Sequence, residues 1–229
     1  MYIEPFGEVK FTLNHRLMRL SMRVKEGKLY VSAPLSCSSE RIMDFVRSKT
    51  DWILKQQKAQ RSTILQFDID VEFSTKYHKL IIERVSRNQV SAIRGNGKVQ
   101  VFIPQDYDCN NEQFQLFVRK VLIQVMRIEA KHYLPGRLKR IADACGLKFH
   151  NVFIKDLSTR WGSCSSENNI NLNLHLMRLP DRLIDYVLCH ELAHLVERNH
   201  SQKFWNLLEK IYPGAKAIDK EMKSYHTAF

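Results

Sequence analysis

"HELAHLVERNH" (residues 190–200) carries two histidines four apart, a glutamate after the first and a third histidine six further on. In an α-helix, positions four apart differ by about 40° of rotation, so His190 and His194 leave one face a turn apart. That spacing suits two imidazole ligands to one tetrahedral zinc. Glu191 lies about 100° round from His190, off the ligand face but within reach of a water at the metal, where a general base belongs. Ile184, Leu188, Leu192, Leu195 and Val196 fall on the opposite arc, giving the helix one side to bury while the histidines face a cleft. With 9 His and 13 Glu in 229 residues, a chance His-Glu-x-x-His arises in about 2% of shuffled sequences, so accident is a poor explanation.

A catalytic zinc takes three protein ligands and keeps a fourth position for water. His200 is the expected third: five residues separate it from His194, the interval in which a chain leaves a helix and turns back under the metal. Where that spacing usually has glycine, this chain has Glu197, so Asn199, which tolerates a left-handed conformation, is expected to make the turn. Glu197 competes for the ligand place, because a helix running on would bring it onto the histidine face. A purely structural zinc would have no use for Glu191.

Working outward, residues 165–169, "SSENN", read as a turn, and "INLNLHL" (170–176) alternates leucine or isoleucine with Asn171, Asn173 and His175 as a half-exposed strand does. A half-exposed strand of this kind can pair with an extended peptide. "NVFIKDL" (151–157) reads as a further strand, the motif helix should start near Pro180, and "SQKFWNLLEKIY" (201–212) as a helix closed by Pro213-Gly214. Residues 110–146 show apolar residues at three and four spacing, with Pro135-Gly136 expected to kink or restart the helix and Gly146 to stop it.

Upstream the period is two. "VKFTLN", "LMRLSMRV" and "KLYVSAP" between residues 9 and 34 read as strands, then a helix capped by Ser38 or Ser39 runs to about residue 62. "TILQFDIDVEFS" (63–74), "YHKLIIERV" (77–85) and "KVQVFIP" (98–104) read as strands again, with a Gly95-Asn96-Gly97 turn before the last. Strands first and helices later make the fold class α+β, with a strand-rich N-terminal region of one helix over 1–109 and a helical unit over 110–229.

Composition sets the outer bounds. At 44% hydrophobic and 26% charged the chain is globular. No apolar run approaches the roughly 20 residues of a membrane span. The start, "MYIEPFGEVKF", lacks the basic and apolar regions of an export signal, so a cytoplasmic location and no membrane partner are expected. Five scattered cysteines without a Cys-x-x-Cys pair indicate neither a disulfide framework nor a cysteine zinc site. The net charge of +12 divides as +6 over 1–61 and +6 over 110–155, leaving 62–109 and 156–229 neutral. A basic excess of this kind attracts polyanions. Nothing in the sequence specifies an oligomer.

Residues 159–205, through Arg-Trp-Gly-Ser-Cys (160–164), His-Glu-Leu-x-His (190–194) and Asn-His-Ser-x-x-Phe-Trp (199–205), resemble the YgjP-like metallopeptidases, distant relatives of the SprT and Wss1 zinc proteases. The similarity extends more weakly through "MRLSMRV", "KLYVSAP" and "DFVRSKTDWILKQQ". It departs at Leu174, where an aromatic is expected, and in the tail from Lys216. The resemblance implies a zincin-like C-terminal unit, an active-site helix next to a small antiparallel sheet, with one Zn2+ ion on His190, His194 and His200, and Glu191 as catalytic glutamate. It implies protein or peptide substrates cleaved by a metal-activated water. Arg160, Trp161, Asn173 and Tyr186 are candidate cleft or substrate contacts, and Arg160, Tyr186, Tyr225 and His226 candidate oxyanion stabilisers. An alternative function, a DNA-associated zinc protein acting on or recognising DNA-bound proteins, rests on the SprT likeness and the basic charge.

Overall fold

The period-two sequence near the start becomes a four-stranded sheet in the computed structural model, which describes residues 2–25, 27–63 and 65–227. Strands β1 (Tyr2–Ile3), β2 (Gly7–Leu13), β3 (Ser21–Lys25) and β4 (Lys28–Ala33) stand in the order β1-β2-β4-β3. Along β4, Leu29, Val31 and Ala33 are buried while Lys28, Tyr30 and Ser32 are partly open, the alternation a one-sided sheet requires. The expected helix forms in two pieces, α1 (Ser39–Arg47) and α2 (Thr50–Thr63). Ser38 is the cap, its Oγ accepting from the Arg41 N–H at 3.3 Å. The break follows from hydroxyl chemistry: Ser48 Oγ donates to the Phe45 carbonyl at 2.9 Å and Thr50 Oγ1 to the Arg47 carbonyl at 2.7 Å, competing with helix continuation. Val9, Leu29, Val31, Val46 and Ile53 form the core of this first compact unit, which runs to Leu65.

A second compact unit covers Gln66–Thr227, so the chain parts near residue 65 where the sequence suggested 109. The reason lies in 66–74, read as part of a strand over 63–74 but forming none beyond a single bridge of Ser74 to Lys79; Ile64 lies outside the described residues. Phe67 gives its N–H to Gln115 Oε1 at 3.0 Å and its carbonyl accepts from Gln115 Nε2 at 2.8 Å. A helix side chain thus replaces a neighbouring strand. The sheet that follows, β5 (Lys79–Arg84), β6 (Ser91–Gly95) and β7 (Lys98–Ile103), has the order β5-β7-β6. Its hairpin turns on Asn96 and Gly97, both at positive φ, as the Gly-Asn-Gly signal requires.

Helix α3 (Glu112–Ala144) is capped by Asn111 and runs unbroken through Pro135. Leu134 and Leu138, both fully buried, flank that proline and offset the hydrogen bond it removes. Gly146, at φ +67, ends the element as expected. The third sheet comprises β8 (Val152–Lys155), β9 (Gly162–Cys164) and β10 (Ile170–Asn173) in the order β8-β10-β9; it is mixed where an antiparallel sheet was expected, β10 pairing parallel to β8 and antiparallel to β9. "INLNLHL" therefore supplies four strand residues and then a 3-10 helix over 174–178. Asn173 causes the switch: its Oδ1 accepts from the His175 N–H at 3.2 Å and caps the new turn. Helices α4 (Asp181–Ala193), α5 (Gln202–Ile211) and α6 (Ala215–Met222) complete an α+β chain. The cysteines are free, Cys189 buried and Cys145 exposed. Among the described residues no helix is long and apolar enough to cross a membrane.

Candidate metal centre

Helix α4 starts after Pro180 and packs Leu183, Ile184, Leu188 and Leu192 out of solvent altogether. It ends at Ala193, with His194 as its C-cap. The chain then winds through one tight turn, in which Val196 and Glu197 N–H groups both donate to the Ala193 carbonyl at 3.1 and 3.0 Å. Asn199 is not left-handed; the only positive-φ residues other than glycine among the described ones are Asn96 and Asn168. The helix stops soon enough that no glycine substitute is needed. Ser201 caps α5, accepting from the Phe204 N–H at 3.4 Å, and so places His200 immediately ahead of that helix.

These two helix ends bring three imidazoles together. His190, His194 and His200 ring centroids lie 4.8–5.0 Å apart, and one nitrogen from each falls within 4.8 Å of the others. His190 Nε2 stands 2.9 Å from His200 Nε2. Imidazole nitrogens bound to one tetrahedral zinc at about 2.0–2.1 Å are themselves about 3.3 Å apart, so the donor set fits the ion with small adjustments. Glu197 contributes its backbone instead of its carboxylate: its carbonyl accepts from His194 Nδ1 at 3.0 Å, which leaves His194 Nε2 free of hydrogen. Phe204, fully buried, lies with its ring centroid 4.6–4.9 Å from all three imidazoles, stacked on His194. It forms an apolar floor under the three rings.

Burial, then the neighbouring His194 and His200, pushes His190 down to about 4, and burial also lowers His194, so both are neutral at pH 7 as ligands must be. Burial pushes Glu191 up to about 8 against the pull of Arg160. Glu191 is 5% exposed, and its Oε2 has no hydrogen-bond partner in the structure. An orphaned carboxylate oxygen on the residue next to His190, in a site where three imidazoles converge, fits a cation and its water.

Gly162 on β9 forms the wall opposite Glu191. A Cβ added there would lie 2.7 Å from Oε1, 2.8 Å from Cγ and 2.9 Å from Cδ of Glu191. Arg198, two residues before His200, donates to the Ser165 carbonyl and to Asn168 Oδ1, both at 2.5 Å, tying the ligand loop to the turn after β9. The candidate cleft residues separate accordingly. Arg160 is exposed and acts on Glu191 through its charge, and Trp161 is half-buried in the approach to β9. Asn173 is fully buried; its amide donates to the Leu157 and Arg160 carbonyls at 2.7 and 2.8 Å, shaping the loop that bears Arg160. Tyr186, 3% exposed, sits behind His190, its hydroxyl 3.4 Å from His190 Nδ1 and 2.9 Å from Asp219 Oδ1. Burial and Asp219 push its phenol far above the usual range, so it stays neutral. Tyr225 and His226 lie in a tail whose His226 and Thr227 carbonyls accept from Arg178. Gly162, Phe204 and Asp219 were not read as site residues, although Phe204 stands four after His200, the spacing that carries it under the ligand.

No curated protein matches the chain. Among solved structures, it is similar to the metallopeptidase zymogen abylysin of Pyrococcus abyssi, at 32% identity and TM-score 0.35 over 39% of this chain and 92% of that one. It is also similar to the metallopeptidase zymogen jannalysin of Methanocaldococcus jannaschii, at 22% identity and TM-score 0.36 over 39% and 93%. The description "YgjP-like, metallopeptidase domain" matches residues 18–225, which include His190, Glu191, His194 and His200, and the chain belongs to that family.

Proposed function

We propose that the protein is a zinc-dependent peptidase in which His190, His194 and His200 hold one Zn2+ through Nε2 and Glu191 is the general base. The observation that carries this reading is the buried, unpartnered Glu191 oxygen beside three converging imidazoles. Bound there, zinc supplies a Lewis acid that polarises a peptide carbonyl and lowers the pKa of water toward about 7. Glu191 takes the proton of the attacking water and later delivers it to the leaving amine. Burial raises its affinity for a proton, so the ionised carboxylate is a stronger base for the first transfer and holds the proton until the second. Arg160, exposed and electrostatically coupled to Glu191, is the group we assign to the developing oxyanion.

The substrate edge is β9. The strand expected to pair with a peptide, β10, is central in its sheet and has both edges occupied. Trp161 and Ser165 exchange backbone bonds on the β10 side, through Asn173 N–H to Trp161 O at 2.9 Å and Ser165 N–H to Asn169 O at 2.8 Å. The alternate residues Gly162 and Cys164 consequently turn their N–H and C=O groups to the outer edge, beside Glu191. A peptide added there runs past the metal centre in extended form. In Glu191→Gln, zinc content stays and peptide cleavage falls by about 10²–10⁴-fold. A wild-type protein that binds no zinc would overturn the reading.

A second reading, nucleic-acid attachment, gains one observation. On the outer face of the first sheet Tyr30 lies between Lys10 and Arg23, whose cationic groups stand 5.8 and 5.4 Å from its ring centroid. An aromatic ring between cations suits a stacked base and its phosphates. Binding of single-stranded DNA that strengthens steeply as salt is lowered and weakens in Tyr30→Ala supports it; no binding at low salt refutes it.

A further inference from the structure

We infer that Asp219, acting through Tyr186, is a positioning residue that decides which nitrogen His190 offers to a metal; the inference rests on the zinc reading above. Tyr186 stands one turn before His190 on α4, and Asp219 reaches it from α6. The phenol ring is wedged edge-on between His190 and Tyr212, at centroid distances of 5.8 and 6.1 Å, so its hydroxyl cannot wander. That hydroxyl lies 2.9 Å from Asp219 Oδ1 and 3.4 Å from His190 Nδ1. Lys223 Nζ stands 3.5 Å from the other carboxylate oxygen of Asp219.

Counting protons fixes the direction of the chain. A phenol has one proton to give, and an ionised carboxylate can only accept. The proton therefore lies in the Tyr186–Asp219 bond, and the phenol oxygen is left as an acceptor toward His190. Nδ1 of His190 must then carry the hydrogen, and Nε2, which faces His200 Nε2 at 2.9 Å, presents its lone pair. Take Asp219 away and the same hydroxyl is free to donate to Nδ1. That favours the opposite tautomer, with hydrogen on the nitrogen a metal needs bare. His194 meets the same requirement more simply, with the acceptor-only carbonyl of Glu197 at 3.0 Å. The two helix ligands are thus set by different means, one by backbone and one by a side chain from a helix outside the motif.

The test uses the full chain, with Zn2+ affinity measured against a competing chelator and the His190 tautomer read from 15N chemical shifts in metal-free protein. Asp219→Ala and Tyr186→Phe should each weaken zinc binding by about 10–100-fold, the usual effect of removing a ligand's outer partner. Asp219→Ala should also move His190 toward the Nε2–H tautomer. On a Tyr186→Phe background Asp219→Ala should cost nothing more, because the chain is already cut. Unchanged affinity and tautomer in Asp219→Ala would overturn the inference. So would an equal loss on both backgrounds, which would mean that Asp219 acts by holding α6. A wild type without zinc affinity would sink the metal reading itself, and the tautomer of metal-free Asp219→Ala would still decide this one.

Discussion

Replacing Gly162 by alanine adds one methyl group at the tightest point of the site. The new Cβ would stand 2.7–2.9 Å from three atoms of Glu191, against an ordinary carbon contact of about 3.5 Å or more. The carboxylate must retreat by about 0.8 Å. Glu191 is itself only 5% exposed, so it lies in packed surroundings that leave little room for a retreat. It has to swing to another rotamer, away from the water it is to deprotonate. Displacements near 1 Å in such groups cost about 10²-fold in rate. Backbone strain does not confuse the result, since Gly162 is not among the glycines at positive φ. Zinc content and the kinetics of peptide hydrolysis, measured on the same preparations, are the assay. kcat should fall about 100-fold with zinc retained and KM little changed, since the three nearest neighbours of the new methyl all belong to Glu191. Wild-type kcat in Gly162→Ala would refute the reasoning, and zinc lost in step with activity would show that the substitution disturbs the ligands instead.

Two further tests reach other parts of the molecule. His200→Ala should lower zinc occupancy far more than Glu197→Ala, because only the Glu197 carbonyl enters the site; metal analysis after dialysis distinguishes them, and the reverse order would refute the ligand set. Stability should fall on acidification because of His175, which burial and Arg178 push down to about 4 despite Asp156. An unfolded histidine titrates near 6.5, so between pH 6.5 and 4 the unfolded chain takes up a proton that the native one refuses. Stability is whole above pH 6.5, declines through that window by up to about 3 kcal/mol, and levels off below it. Urea titrations across the window should show a shallower decline in His175→Gln, and equal slopes would contradict this account.

What the sequence revealed and what it hid divide by range of interaction. The motif helix, its start after Pro180 and the return to His200 depend on residues within one turn or one loop of each other, and periodicity reports these. Residues 66–74 show the opposite: their apolar alternation mimics a strand, but the partner of Phe67 is a glutamine about fifty residues away. Asn173 reads as an outward polar position of a strand, yet it is buried because it caps the next turn and holds the Arg160 loop. Pro135 signals an interruption that its fully buried neighbours override. Gly162 could be seen only as part of a motif, since the space it leaves is measured against Glu191, which reaches it by tertiary packing. Asp219 gave no local sign at all.

The grip of Arg198 on the turn after β9 has a mechanical meaning. The loop delivering His200 and the end of the outer strand are clasped by one guanidinium, through the Ser165 and Ser166 carbonyls and the Asn168 side chain. Force applied along that strand is transmitted to the third imidazole without passing through the core. A chain pulled taut in the cleft would therefore tug on the same loop that completes the ligand triangle, and the tension of the bound polymer and the tightness of that triangle become one mechanical variable.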